Sequence, residues 1–275
     1  RARLAVFTLS GMDDDGRRTR RMRDRAPGAA VMEQVVRLHT QSPPRSPLAR
    51  ALGARPLGAE TEPWFAGALG EREVGALLDR LPDGWSVFHA VPVGTRPDEN
   101  GAVADVDHVV VGPAGVFVIN TKHHRGQRVW VAERAVLVAG QKQPYLRNSD
   151  LEASRVRGVL AQAGLVAPVT AMVVLVGTKE VTVRQQPRRV RVLRSEALLR
   201  WLTRRPTVVD AATVAAIARL FDDPATWRPA ESSADTLERF ALIEREVRTA
   251  QLVRVGWVLA VALAGLAVAL PFLPH

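Results

Sequence analysis

The chain contains no cysteine. That excludes a disulfide scaffold, a Cys-ligated zinc site and a thiol nucleophile, and it leaves the redox compartment open. Lysine is almost missing too: of 38 Lys plus Arg, only Lys122, Lys142 and Lys179 are lysine. Together with abundant Ala, Val, Leu and Gly, this reads as the coding bias of a GC-rich genome, in which arginine serves wherever any cation will do. A lysine in such a chain needs a chemical reason. There is no glycine-rich G-x-x-x-x-G-K loop to cradle a nucleotide, no Ser, His and Asp set that reads as a hydrolase triad, and no internal repeat.

What is present is positive charge and apolar content. The 275 residues carry a formal charge of +10, which suits an anionic partner, either nucleic acid or an acidic membrane surface. Residues 1–60 hold Arg17, Arg18, Arg20, Arg21, Arg23 and Arg25, then Pro43, Pro44 and Pro47, with little periodicity, and read as a mostly disordered or loosely helical basic arm. The sequence opens on Arg, so Met12, Met22 and Met32 are alternative starts, and "LAVFTLSG" is too short and weak for a secretory signal.

From residue 64 the positions Val74, Leu77, Leu78 and Leu81 follow a 3.6 period and predict an amphipathic helix, with Glu71 and Glu73 in its first turn. "SVFHAVPV" predicts a strand and "ENGAVAD" a polar turn. "DVDHVVVGPAGVFVINTK" (105–122) then reads as a β-hairpin turning at Gly112-Pro113-Ala114-Gly115. Further strands follow at 128–140, then a helix at 149–164 capped by Ser149 or Asp150, and "VTAMVVLVG" as a strand covered on both faces. The order predicts an α/β fold, a mixed sheet flanked by helices. The expected divisions are a domain over 61–205, a helical extension over 206–252 and a transmembrane helix over 253–273. That last prediction rests on "VGWVLAVALAGLAVALPFL" (255–273), which is apolar on every face and long enough to cross a bilayer. Arg245, Arg248 and Arg254 precede it, so the positive-inside rule puts the domain in the cytoplasm, with Trp257 at the interface.

The hairpin brings Asp107, Asn120 and Lys122 to one sheet edge, since alternation gives 120 and 122 the same facing, and it gives Asp105 the face of Asp107. A carboxylate, a second oxygen ligand and an ammonium at a sheet edge suit metal-assisted phosphodiester hydrolysis. The carboxylate holds a hard cation such as Mg²⁺ or Mn²⁺, and lysine, whose pKa yields to burial as that of arginine does not, activates or steadies water. His123, His124 and Arg125 after the lysine, and Arg147 and Arg155 near the next helix, are candidate phosphate contacts. His108, facing away from Asp107, is expected to be structural.

"GEREVGALLDRL", "ADVDHVVVGPAGVFVINTKHHRG" and the following Trp130 resemble the nuclease-related domain (NERD) family, of the restriction-endonuclease-like superfamily with its PD-(D/E)XK site. The likeness covers about 66–180. It implies a restriction-endonuclease-like fold, with Glu71 as the helix carboxylate, Asp107 as the main metal ligand, residue 120 as an acidic second ligand and Lys122 as the catalytic lysine. Position 120 departs from that pattern: Asn can bind Mg²⁺ through its carbonyl oxygen but brings no charge. The expectation is a membrane-tethered, Mg²⁺-dependent nuclease acting on DNA. The alternatives are a catalytically inactive module of the same fold that binds nucleic acid or protein at the membrane, and a scaffold whose arginines meet anionic lipid.

Overall fold

A computed structural model describes residues 21–97, 103–227 and 234–269. Arg17, Arg18 and Arg20, most of the expected turn at 99–105, and the end of the apolar run lie outside them. The described residues fall into two compact units. One joins the residues up to Pro27 to those from Gly70 onward through Trp227, and the other joins Gly28–Leu69 to the last helix.

The first unit is α/β. Its larger sheet has the order β1-β2-β3-β7-β9, with β1 Ser86–Pro97, β2 Val103–Gly112, β3 Gly115–His123, β7 Val169–Val176 and β9 Val190–Arg194. β1, β2 and β3 run antiparallel, while β3, β7 and β9 run parallel, so the sheet is mixed. β7 lies between β3 and β9, and all of its residues from Ala171 to Val176 are buried, as its unbroken apolar run requires. A smaller sheet has the order β6-β5-β4-β8, with β4 Arg128–Ala132, β5 Ala135–Val138, β6 Gln141–Gln143 and β8 Glu180–Val183.

Each face of the larger sheet has its own core. On one face Val110, Phe117, Ile119, Met172 and Val174 pack with Val74 and Leu78 of α3 (Thr61–Leu78) and Leu198 and Leu202 of α5 (Ser195–Thr203). On the other, Val109, Val118 and Val173 pack with Val156 and Leu160 of α4 (Tyr145–Gln162), Ile217 and Phe221 of α6 (Ala211–Asp222), and the valines of β4 and β5. Residues 206–227 therefore belong to this core, with Trp227 of α7 (Pro224–Trp227) stacked on Phe221, and are not part of a separate extension.

Two helices begin earlier than their caps and periodicity predict. α3 starts at Thr61, so Glu71 lies in mid-helix and not in the first turn. α4 starts at Tyr145, and Ser149, expected as a cap, is fully buried inside it. Strand alternation also slips near the site. Phe88 and Val91 feed the same core, as do Val106 and Val109, so facing cannot be counted by twos across Ala90 and Asp107. Ala90, between the paired His89 and Val91 of β1, has φ of 48°, a conformation that is costly for a residue with a Cβ.

The second unit is helical. α1 (Ala29–Gln41), α2 (Pro47–Ala51) and the start of α3 pack with α8 (Ala234–Ala269) around Met32, Val35, Phe65, Phe240 and Ile243. Phe65 and Phe240 stack at 5.4 Å. Residues 29–60 are thus folded where a loose arm was expected. α8 runs without a break through the expected boundary at 252, and its residues 235–267 form a candidate membrane span. Val258, Val261 and Leu263 are each more than 60% exposed, so this apolar stretch is no buried core helix.

The hairpin turn depends on Gly115. Its φ is 118°, and a Cβ there would stand 2.6 Å from the Pro168 carbonyl oxygen, which accepts the Val116 N–H. Gly164 also has positive φ (67°), but it faces open space. Gly115→Ala should therefore cost about 2–4 kcal/mol in urea unfolding and Gly164→Ala about 1 kcal/mol. Equal losses would show that the Pro168 contact is irrelevant.

Candidate active site

The site forms where β2 and β3 part. Their ladder ends at His108↔Ile119, while β3 stays paired to β7 as far as His123. Past Ile119 one edge of β3 has no β2 backbone opposite, and the Thr121 N–H donates instead to Oδ2 of Asp107. A side-chain carboxylate thus replaces a ladder acceptor, as a buried backbone donor demands.

α4 closes the site from one face of the sheet. Nδ2 of Asn120 donates to both carboxylate oxygens of Glu152, each at 2.9 Å. The Lys122 Nζ lies 5.5 Å from the centre of the Tyr145 ring. On β3, Asn120 and Lys122 are about 6.6 Å apart, and Tyr145 and Glu152 are two turns apart on α4, about 10.5 Å. The helix therefore runs antiparallel to the strand and meets it twice. From the other face, Glu71 of α3 is buried at 7% exposure. Gly70 allows that approach, since a Cβ there would stand 3.0 Å from Cβ of His123.

Burial raises all of the carboxylates gathered here. Glu71 is pushed well up by burial, then by the charges of Asp107 and Asp105. Burial, followed by Asp107, lifts Asp105 to about 6. Burial lifts Glu152 to about 7, against the pull of the Asn120 hydrogen bond. Asp107 is raised by burial, while Lys122 and the Thr121 N–H hold it down. Lys122 thus stands among four carboxylates, with Arg25 a further positive charge acting on Asp105.

Asp107, Asn120, Lys122 and Glu71 are thus gathered in one place, and Asp105 joins them electrostatically. The expected phosphate contacts divide. Nε2 of His124 shares a 2.9 Å hydrogen bond with the Tyr145 hydroxyl, and His123 is wedged between Gly70 and Gly177. Burial lowers the pKa of both imidazoles, which disfavours their charged form. Arg125, Arg147 and Arg155 are exposed, the last two on α4, the helix that carries Glu152. His108 is structural: its Nδ1 lies 2.8 Å from Nδ1 of His89, and burial drives His108 well down and His89 to about 4.

Glu152 and Tyr145 are the residues that sequence reasoning missed. Ser149, Ala153, Val156 and Leu160 are the buried stripe of α4, and Glu152, three residues after Ser149 and four before Val156, is an acid set against that stripe. That mismatch was the available signal.

Among the described residues no three His, Asp or Glu side chains form a ready metal cage. Mg²⁺ does not require one, because it keeps several waters and takes one or two protein carboxylates. Asp107 and Glu152 supply hard, crowded oxygens, and Oδ1 of Asn120 is buried with no hydrogen-bond partner. These donors fit a small divalent cation.

Residues 66–176 match the family model described as the nuclease-related domain. An uncharacterized protein of Bacillus anthracis is 38% identical over 65 residues, which is 23% of this chain and 29% of that relative. The match therefore spans less than a third of the relative's length. No solved structure matches the chain.

A carboxyl whose folded pKa is raised stabilises fully below its unfolded value and loses that stability as pH climbs through its folded one. For Glu152 the window runs from about 4.5 to about 7. In EDTA, Glu152→Gln should match the wild type near pH 4.5 and be more stable by about 1 kcal/mol at pH 8, the partial solvent contact of the site reducing the gain. Urea melts across this range check it; a pH-independent difference would mean that Glu152 bears no such electrostatic cost.

Proposed function

Since residues 66–176 belong to the nuclease-related domain family, we propose that this chain is a divalent-metal-dependent nuclease that cleaves DNA phosphodiester bonds, with α8 holding it at a membrane. The observation that carries this reading is the crowding of Glu71, Asp105, Asp107 and Glu152 around the Lys122 ammonium, all buried enough to lose acidity. A dication among such carboxyls displaces their protons and relieves their mutual repulsion.

Asp107, Glu152 and the Asn120 carbonyl oxygen hold Mg²⁺ or Mn²⁺ in this scheme. The bound metal supplies Lewis-acid polarisation of the scissile phosphate. The remaining work falls to the chain itself. Lys122 donates hydrogen bonds to the attacking water or to a non-bridging phosphate oxygen, and the Tyr145 ring face keeps its ammonium from collapsing onto Asp107. Asp107, fixed by the Thr121 N–H, keeps its carboxylate aimed into the gap between β2 and β3. Burial, then the charges of Asp107 and Asp105, push the Glu71 carboxyl well up, so it takes a proton more readily than an ordinary carboxylate and tempers the repulsion within the cluster. Arg125, Arg147 and Arg155 give the exposed positive charge for the DNA backbone. On this reading α8 enters the bilayer after Arg245, Arg248 and Arg254, a charge distribution that by the positive-inside rule favours the cytoplasmic side for the domain.

A second reading has a specific observation behind it. Asn120 stands where the family pattern has an acid, and both oxygens of Glu152 are engaged by its amide. On that reading the fold binds nucleic acid or protein without cutting.

Calorimetry with Mg²⁺ or Mn²⁺ on the full chain in detergent, with plasmid cleavage followed in the same samples, decides between them. The wild type is expected to bind metal and nick DNA. Lys122→Ala should keep metal binding and lose about 10²-fold or more in rate. Glu152→Gln should weaken binding about 10-fold or more. A wild type that retains DNA but binds no metal at millimolar concentration would overturn the nuclease reading and leave the binding module.

A further inference from the structure

The second unit carries a surface that neither the site nor the family explains. α2 is a single capped turn. The Ser46 hydroxyl accepts the Ala49 N–H at 3.2 Å, Pro47 opens the helix, and Gly53, with φ of 69°, ends it. So short a helix has no stability of its own, and it is pinned to α8. A Cβ at Gly53 would stand 2.8 Å from the Ala250 carbonyl oxygen and 2.9 Å from Cγ of Arg254. The Trp257 indole N–H donates to the Ala51 carbonyl oxygen at 2.9 Å, taking up an acceptor left free at the helix end. These contacts straddle Arg254, the last charged residue before the uncharged run of α8.

The side chains that α2 turns outward are the wrong ones for water. Leu48 and Leu52, four residues apart and so on one face of the turn, are 69% and 53% exposed, and Trp257 is 51% exposed. Arg50, between the leucines, is exposed and has no ion-pair partner among the described residues. Two leucines and an indole beside unpaired cationic charge, at the point where an apolar helix would leave the domain, match the chemistry of a bilayer interface: acyl boundary for the leucines, headgroup level for the indole, lipid phosphate for the arginine.

We propose that α2 is an interfacial membrane anchor: Leu48 and Leu52 insert at the headgroup boundary of the bilayer that α8 crosses. The inference rests on the membrane reading of α8 and adds a second attachment point. One helix fixes depth but leaves rotation about its own axis free. A wedge held to its side through Gly53 and Trp257 fixes the rotation as well, so that one flank of the helical unit faces lipid.

The absence of cysteine makes the test direct. Single variants Leu48→Cys, Leu52→Cys, Val166→Cys and Leu263→Cys of the full chain are labelled with a polarity-sensitive nitrobenzoxadiazole fluorophore and reconstituted into vesicles of phosphatidylcholine and phosphatidylglycerol. Val166, 88% exposed in the α/β unit, is the aqueous reference, and Leu263 is the reference for the span. Labels at 48 and 52 should be blue-shifted relative to 166, quenched by a shallow nitroxide lipid, and several-fold less quenched by iodide; 263 should respond to a deep nitroxide. If 263 is in lipid while 48 and 52 are quenched by iodide as fully as 166, the interfacial anchor is wrong and the tether stands. If 263 itself is open to iodide, the membrane reading fails and takes this proposal with it.

Discussion

The hydrogen bond from the Thr121 N–H to Asp107 is the constraint on which the site depends. A mixed sheet keeps its backbone polar groups satisfied by pairing, yet a cleft at its edge requires two strands to separate. β2 and β3 separate after His108 and Ile119, and the donor exposed by that separation is met by a carboxylate carried on the departing strand. The same group that repairs the sheet is thereby held at the mouth of the cleft, with its orientation set by backbone rather than by a flexible side chain. β1 departs from regular strand geometry at the same level: Ala90, between the residues paired to His108 and Val106, is in a left-handed conformation.

Fixing charge in this way sets two groups of ionisable residues against each other. Glu71, Asp105 and Glu152 have raised pKa values, so the protein is most favoured when they are protonated and loses stability as pH rises through about 6 to 7. The buried His89–His108 pair behaves in the opposite sense. Both rings are neutral in the folded state, so stability falls as pH drops below about 6.5, where the unfolded histidines take up protons. Neither group can be relaxed without loss: the imidazoles pack beneath the strand pair that carries Asp107, and the carboxylates are the content of the site. Stability spent on crowded carboxylates in one small region is the pattern expected where a fold serves chemistry rather than packing, and it is what the proposed function rests on.

The parts of this architecture written in local pattern were legible in the sequence. The hairpin with its Gly-Pro-Ala-Gly turn, the buried strand β7 and the continuous apolar stretch each follow from a period or a turn residue. Lys122 was visible because the arginine bias made it anomalous. What escaped was set by tertiary packing. α3 starts nine residues before Gly70 because its first turns serve the helical unit, and Ser149 looks like a cap although it is buried in a helix that has already begun. Residues 29–60 lack strong periodicity and were expected to be loose; they fold because α8 supplies the apolar face they cannot make alone. Glu152 was hidden for the same kind of reason. Its partner lies across space on β3, and no spacing along the chain connects the two.

That pairing changes what Asn120 means. Taken alone, an amide where the family pattern has an acid reads as a lost ligand. With Glu152 in place, an acid at position 120 would set a fifth carboxylate against the four already crowded around Lys122, directly facing another with no donor between them. Asparagine removes that repulsion, and its Nδ2 holds Glu152 by two hydrogen bonds, while its Oδ1 stays free as a neutral oxygen donor. The negative charge absent from the strand is present on the helix, about one side-chain length away. In the proposed metal site the acid is relocated rather than lost, and the amide is the residue that its new position requires.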